Sequence, residues 1–470
     1  NDPGSAFLTG NLNLYQNTAV FTIEDSSNTT AELTVSANIS STGTLGLTKS
    51  GAGTLVLSGN NTYTGTTTLS AGTLRVTSST ALGTGTLSYG GGTLELAGTN
   101  LALANTITLG SSVRTISVVD GSAVVDATLT GGISGSGAIN KTGAGTLRLS
   151  GAKTYTGNTN VSAGTLIYAT QNSLYNNVTG NWTATKLTVQ SGATAAFNVG
   201  GTNEFTATNI NTLKVLGGAT NGFRNGSFIG FDTTNALGGN FDYVTGITNT
   251  NSGANVIGLT KLGTGSLTLS GASTYTGATT VSAGTLFVNG SLGNTAVAVS
   301  SGATLGGSGT TAGLATISSG GRLAPGNSPG TLTFTNGLTL NSGSILDFQI
   351  GTTSDSVRVS GATLTGPLVG TILLNLSDAG GFNPLTSSSY TLFNFASAAT
   401  SNFTASQFTL GSLLGGTSLS NYTFNLDGTA STLNLVYTPT AVPEPATYAA
   451  IFGAAALLVA AFRRKRAARL

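Results

Sequence analysis

Short runs of alternating apolar and polar residues recur along the chain, each closed by glycine. Leu55 and Leu57 alternate with Thr54, Val56 and Ser58, the period of two expected of a strand with one buried face. Gly51 and Gly53 precede this run and Gly59 follows it, marking turns that need a positive φ. A second strand signal passes through Thr66, Thr68 and Ser70 and ends near Ala71-Gly72. Threonine suits a strand, and its hydroxyl tolerates water. Strands this short, with turns this frequent, argue against a deep globular sandwich.

Three segments repeat the pattern almost residue for residue. Residues 47–76 read LTKSGAGTLVLSGNNTYTGTTTLSAGTLRV, residues 139–168 read INKTGAGTLRLSGAKTYTGNTNVSAGTLIY, and residues 259–288 read LTKLGTGSLTLSGASTYTGATTVSAGTLFV. They align without gaps but start 92 and then 120 residues apart, so they are not a simple tandem. Between them runs a weaker repeat, an apolar alternation followed by Ser-Gly, as in VAVSSGATL, ATISSGGRL and LTLNSGSIL. Anchored on Gly284, Gly302, Gly320, Gly343 and Gly361, its steps are 18, 18, 23 and 18 residues. A strand-turn-strand unit recurring near every 20 residues reads as the rungs of a β-solenoid. Inward Leu, Val and Ile would stack as the core, and outward Thr, Ser and Asn would face water. About 360 residues at roughly 20 per rung, with rungs about 4.8 Å apart, predict about 18 rungs and a rod on the order of 85 Å long. The solenoid is expected over residues 1–366.

Two stretches fit the rung pattern less well. Residues 205–250, with NGFRNGSFIGFD, predict a loop-rich bulge or an irregular rung. Residues 367–440 are richer in aromatics, among them Tyr390, Phe393, Phe403, Phe408 and Tyr422, and alternating runs such as YTLFNF and STLNLVY suggest antiparallel hairpins. A solenoid leaves an open strand edge at its end, which invites aggregation. This stretch is therefore expected to be a β-rich cap.

Composition narrows the function. Gly makes up 69 of 470 residues, about twice the usual share of ~7%. Charged residues are only 7%, but 39% are hydrophobic, and their alternation favours ordered β-structure over disorder. Five of the 17 basic residues lie at the C-terminal tip, leaving 12 basic against 15 acidic residues over 1–462. That weakly acidic bulk offers no basic field for nucleic acid. The chain has no Cys and no His, which excludes disulfides, zinc sites and His-assisted triads. It begins at Asn1 without Met or an apolar leader, which predicts a processed or trimmed N-terminus.

The chemistry-bearing residues are sparse. Fourteen acids precede the tail, and only Glu24-Asp25 are adjacent. Glycoside hydrolysis needs two carboxylates across one bond, and calcium needs a cluster of oxygen ligands. Asp120 and Asp126 could meet on adjacent turns, but no spacing specifies a site. Glycine-rich GGGTLELAG and GAGTL lack the Lys-Ser/Thr ending of a phosphate loop and read as turns. Tyr63, Tyr155 and Tyr275 hold equivalent places in the three copies. They are read either as rings packed at a rung corner or as surface rings able to stack on a sugar. Lys49, Lys141 and Lys261 also repeat and are expected to be solvated beside a turn. No catalytic set, cofactor or metal is expected.

The tail, residues 441–470, is of another kind. Residues 446–462, ATYAAIFGAAALLVAAF, carry no charge. As a helix they would span about 26 Å at 1.5 Å per residue, at the short end of what crosses a bilayer. Arg463, Arg464, Lys465, Arg466 and Arg469 follow directly. By the positive-inside rule they would hold the C-terminus in the cytoplasm and place residues 1–445 outside. A transmembrane helix over 446–462 is therefore expected, with an inner-membrane anchor, at least transient. Ahead of it stand Pro443, Glu444 and Pro445, whose prolines disfavour helix and leave an extended peptide.

Two resemblances follow. The KTGAGTLRLSG…TYTG…VSAGTL pattern is similar to the autotransporter-associated β-strand repeat of bacterial passenger domains. The flanks ATLTGGISGSGAINKTG and ISSGGRLAPGNSPGTLTF fit it too. This resemblance implies a right-handed parallel β-helix on an exported protein. Nothing in the chain resembles the membrane-spanning translocator barrel of autotransporters, so their secretion route is not carried over. The tripartite tail resembles the PEP-CTERM sorting signal. That resemblance implies recognition by an exosortase in the inner membrane of Gram-negative bacteria, cleavage near Pro443-Glu444-Pro445, and transfer to the envelope surface or extracellular matrix. The expected protein is a non-enzymatic, adhesin-like surface or matrix β-helix whose partners include exopolysaccharide or other matrix components. The alternative is a surface β-helix that binds or degrades polysaccharide.

Overall fold

The computed structural model describes residues 5–26, 31–327, 329–361, 363–395, 400–401, 403–414, 417–427, 431–439, 454–459, 461 and 464. Its strands stack in parallel, one rung on the next. Leu47, Thr67, Leu87 and Ile107 are successive register partners, a step of 20 residues. Leu55, Leu74, Leu94 and Ile116 form a second such column, and all four side chains are buried. Parallel strands about 4.8 Å apart place like positions directly over one another. The period of two therefore becomes continuous apolar columns running along the solenoid.

The chain coils around the axis by visiting sheets in turn. Leu87–Tyr89, Thr93–Leu96 and Leu101–Leu103 join a six-stranded, a nine-stranded and a thirteen-stranded sheet, and Ile107–Leu109 returns to the first. Later rungs share the thirteen-stranded sheet with two eight-stranded sheets. The Ser-Gly repeat marks these rungs. Gly302 donates to the Gly320 carbonyl, Gly320 to that of Gly343, and Gly343 to that of Thr371. Gly284, Gly302, Gly320 and Gly343 all take positive φ. The series does not continue through Gly361, which is absent from the positive-φ positions. Gly370, at φ +90°, takes the next place because this rung is longer: Leu338 pairs with Leu364, a step of 26.

Residues 171–253 interrupt the regular rungs, as the pattern over 205–250 suggests. Three short 3-10 turns run between Gln171 and Asn181. The helix Ala207–Leu213 starts at Thr206, whose side chain accepts from the Asn209 amide while the Asn209 side chain reaches back, a reciprocal cap. Trp182, Phe197 and Phe205 pack beneath, with ring centroids 5.0–5.7 Å apart. Strands on the thirteen-stranded sheet continue through the insertion as Thr194–Asn198, Ser227–Asp232 and Ile257–Leu262.

Parallel pairing runs past residue 366. Ile372–Asp378 lies parallel to Ile345–Ile350 and to Phe408–Leu410. Among the described strands, antiparallel pairing joins Ser388–Phe395, Thr432–Tyr437 and Tyr422–Asp427 at the end of an eight-stranded sheet that is otherwise parallel. This last sheet closes the end, and Phe393, Phe403 and Phe408 pack beneath it edge to face or tilted. The fold is thus a parallel β-solenoid with an antiparallel C-terminal cap.

The expected transmembrane helix is corrected. Among the described residues, no helix is long and apolar enough to cross a membrane. Within 446–462 only 454–459 and 461 are described, helical and exposed; the rest of that span lies outside the described residues. A helical run such as 454–459 rises about 9 Å against a hydrocarbon core of about 30 Å. The inner-membrane anchor and the cytoplasmic placement of the basic tail lose their support with it.

Candidate functional site

The three strong repeats build the same internal machinery. Lys49, Lys141 and Lys261 are completely buried, which corrects the expectation that they are solvated. The Lys141 ammonium donates to the carbonyls of Thr142 and Gly143 in its own turn, and to Ala163 on the following rung, at 2.8–3.0 Å. Lys49 does the same with Ser50, Gly51 and Ala71, and Lys261 with Leu262, Gly263 and Ala283. Three carbonyls that only accept are matched by the three N–H bonds of one ammonium. Burial pushes Lys141 and Lys261 down to about 8; Asp126 and Asp120 oppose this at Lys141, and Asp232 at Lys261. Burial also lowers Lys49, against the carboxylates of Glu24 and Glu32.

The glycine after each captured alanine is forced. Gly72, Gly164 and Gly284 sit at φ +66°, +64° and +62°. A Cβ at Gly164 would lie 2.5–2.6 Å from the carbonyl oxygens of Ala144, Gly143 and Gly145 on the preceding rung. The turn thus needs both left-handed backbone and the absence of a side chain.

Tyr63, Tyr155 and Tyr275 are buried as well, at 0%, 2% and 0% exposure. The reading of these rings as surface stacking platforms is overturned. Each hydroxyl meets the hydroxyl of the threonine four residues on: Tyr63 with Thr67 at 2.5 Å, Tyr155 with Thr159, and Tyr275 with Thr279 at 2.6 Å. Thr67, Thr159 and Thr279 occupy inward strand positions, and the tyrosine satisfies their polar atoms inside an apolar column. Burial drives Tyr63 up to about 12 and Tyr155 and Tyr275 well above the ordinary value.

The copies differ in the face they occupy. Lys49 lies on the six-stranded sheet, Lys141 on the nine-stranded and Lys261 on the thirteen-stranded. In each copy the following strand belongs to the next sheet in the cycle. The unequal spacing in sequence therefore places one lysine clamp on each of three successive sheets.

An open groove of about 540 Å³ lies outside the core, lined by Phe287, Ala324, Pro325, Gly326, Asn327, Asp347, Gln349, Asp355 and Ser377. Phe287, Gly306 and Ala324 are register partners on successive rungs. A Cβ at Gly306 would stand 3.0 Å from the Phe287 ring, so the glycine lets the ring lie along the sheet. Asp347 is held by Arg322 at 2.8 and 3.0 Å and by Asn375 at 2.8 Å. Asp355 is 2% exposed and accepts from the Gly330 and Gln349 amides at 2.9 and 2.8 Å. Burial raises its carboxyl above the ordinary value. The sequence does not single out Asp347 and Asp355 as a pair. The one signal it offers is the unusual segment RLAPGNSPGTLTF, in which the end of the strand Arg322–Pro325 and the following Gly326 and Asn327 form one wall. Asp126, by contrast, serves the fold, accepting from the amides of Gly121 and Thr146.

Pro443, Glu444, Pro445, Arg463, Lys465, Arg466 and Arg469 lie outside the described residues, and Arg464 is described as exposed.

Comparison with known proteins gives three matches. The passenger-associated-transport-repeat family matches residues 47–76, 139–167 and 259–288. The PEP-CTERM protein-sorting motif matches residues 441–466. The adhesin BmaC autotransporter of Brucella suis biovar 1 (strain 1330) is 32% identical over 266 residues, which are 49% of this chain and 7% of that protein. The chain spans only that small part of the relative's length. The chain therefore carries three passenger-associated-transport repeats and a C-terminal PEP-CTERM sorting motif, consistent with a passenger-like β-helix.

Proposed function

We propose that this protein is an exported, adhesin-like β-solenoid of the cell surface or extracellular matrix. Its tail would be the substrate of an exosortase-type sorting protease. The observation that carries the reading is the sorting motif at residues 441–466 behind a solenoid whose described strands pair in parallel between residues 6 and 410. The match to a short part of an adhesin supports the same class. In this reading Pro443-Glu444-Pro445 is cut rather than catalytic, and the solenoid is a non-catalytic scaffold.

Surface exposure is tested by treating intact cells with protease and by assaying the matrix fraction. The full chain should be accessible or released, and a variant ending before Pro443 should be neither. Equal exposure of the two forms would contradict the role of the tail.

A second reading, polysaccharide degradation, draws on Asp347 and Asp355 lining one groove. Their hydrogen bonds favour binding over catalysis. Asp347 is engaged by the Arg322 guanidinium and the Asn375 amide, and both oxygens of Asp355 are occupied by backbone amides. A glycoside hydrolase needs one carboxyl free to give up its proton. Reducing-end release from a glycan panel incubated with the full chain would overturn the non-enzymatic assignment.

A further inference from the structure

We propose that the groove beside Phe287 binds a glycan chain of neutral or amino-bearing sugars, laid along the solenoid axis. The inference goes beyond export and surface placement, which do not depend on it.

The groove combines what a sugar site requires. Phe287 is half-buried on an outward position of its strand, and the ring lies over Gly306 with no Cβ beneath it. A flat, partly exposed aromatic face suits the apolar C–H face of a pyranose. Further along the same sheet stand polar groups of fixed orientation. The Asp347 carboxylate is locked by Arg322 and Asn375. Among the described residues, the buried Gln349 carboxamide oxygen has no hydrogen-bond partner. A buried acceptor left without a donor is costly, and rotation of the carboxamide into the groove would let a sugar hydroxyl satisfy it. Ser377, on the neighbouring strand opposite Gln349, is exposed and adds a hydroxyl at the rim. The volume of about 540 Å³ lies within the range of about 300–1,000 Å³ typical of small-ligand sites.

Periodicity and charge identify the ligand further. Successive rungs repeat about every 4.8 Å, close to the rise of one pyranose along an extended chain. Phe287, Gly306 and Ala324 follow this spacing in register, and Asp347 and Asn375 continue it on the next pair. A polymer running along the axis therefore meets one residue of this column at about the spacing of each sugar, with the aromatic ring at one end and the carboxylate and amide further along. The lining holds two carboxylates and no basic side chain, and the nearby Arg322 is occupied by Asp347. Uronates are disfavoured, whereas neutral and amino sugars are accepted. A peptide would seek an open strand edge, and this groove lies on the outer face of a paired sheet.

The test is calorimetric titration of the full chain with a cello-oligosaccharide, a chitosan oligosaccharide and an alginate oligosaccharide. The cello- or chitosan oligosaccharide should bind, and alginate should not. Phe287→Ala should weaken binding at least tenfold with the thermal midpoint nearly unchanged, because the ring lies outside the core. Ser377→Ala at the exposed rim should weaken it severalfold, and serves as a second probe should Phe287→Ala fail to fold. Absence of binding to both favoured oligosaccharides, preference for alginate, or binding indifferent to both substitutions would each overturn the assignment.

Discussion

The ammonium of Lys141 donates to the carbonyl of Ala163 at 3.0 Å, joining two consecutive rungs from inside. The same residue satisfies two carbonyls of its own turn. One side chain thus clamps a corner of the solenoid, and Lys49 and Lys261 repeat the clamp on other sheets. Substituting Lys141→Met keeps the apolar stem and removes all three donors. Each orphaned buried acceptor costs about 1–3 kcal/mol. Relief of the burial penalty on the charged ammonium should hold the net loss to about 2–4 kcal/mol in all. Urea denaturation measures it; an unchanged midpoint would show that the clamp is dispensable.

Gly164 tests the other half of the corner. Gly164→Ala should destabilise by about 2 kcal/mol or more, since it combines a positive φ with backbone contacts that cannot yield. Gly180 is the matched control, because an added Cβ there would meet nothing within 4 Å and its φ is not positive. Gly180→Ala should be close to neutral. Equal effects at the two sites would refute the geometric argument.

Lys153 sets a pH dependence. Fully buried, it donates to the Gly131 carbonyl at 2.7 Å, and burial alone depresses it from 10.5 to about 7. Between those values the unfolded chain binds a proton that the folded chain does not. Stability should therefore rise with pH across that window, and the burial penalty is fully present below about 7. Lys141 and Lys261 add in the same direction from about 8. Thermal midpoints at pH 6, 7, 8 and 9 should increase, and Lys153→Met should flatten the portion nearest pH 7. A slope unaltered by that substitution would show that Lys153 does not titrate there.

Tyr155 anchors a wider network, because Thr159 also meets the Tyr175 hydroxyl at 3.1 Å, which donates to the Lys186 carbonyl at 2.8 Å. Tyr155→Phe should cost about 1 kcal/mol, the usual net worth of one hydrogen bond. Since the ring is buried, the same change should leave glycan binding untouched. Loss of binding in Tyr155→Phe without unfolding would return the tyrosines to the surface role that their burial removes.

The rung repeat was legible because stacking converts a period of two into columns, and residues such as Leu55 and Leu57 declare their face directly. The interior polar residues were not. Lysine is rarely buried, and only the carbonyls of Ser50, Gly51 and Ala71, brought together by coiling, make a buried Lys49 favourable. Tyr63 is likewise drawn inward by Thr67, an inward hydroxyl that the strand signal through Thr66, Thr68 and Ser70 passes over. Spacing alone misplaced the final turn at Gly361, since a longer rung moves it to Gly370. The groove joins Phe287 to Asp347 and Gln349 across several rungs, and no local motif records that proximity. The apolar run of the tail reads as a spanning helix by length and hydropathy, yet no described helix is long and apolar enough to cross a membrane.

Sorting through the tail is tested most directly by mass spectrometry of the native protein's C-terminus, in cells with and without the sorting protease. A mature chain ending near Pro443-Glu444-Pro445 is predicted when the protease is present, and a chain retaining Leu470 when it is absent. An intact Leu470 in both would contradict the proposed processing.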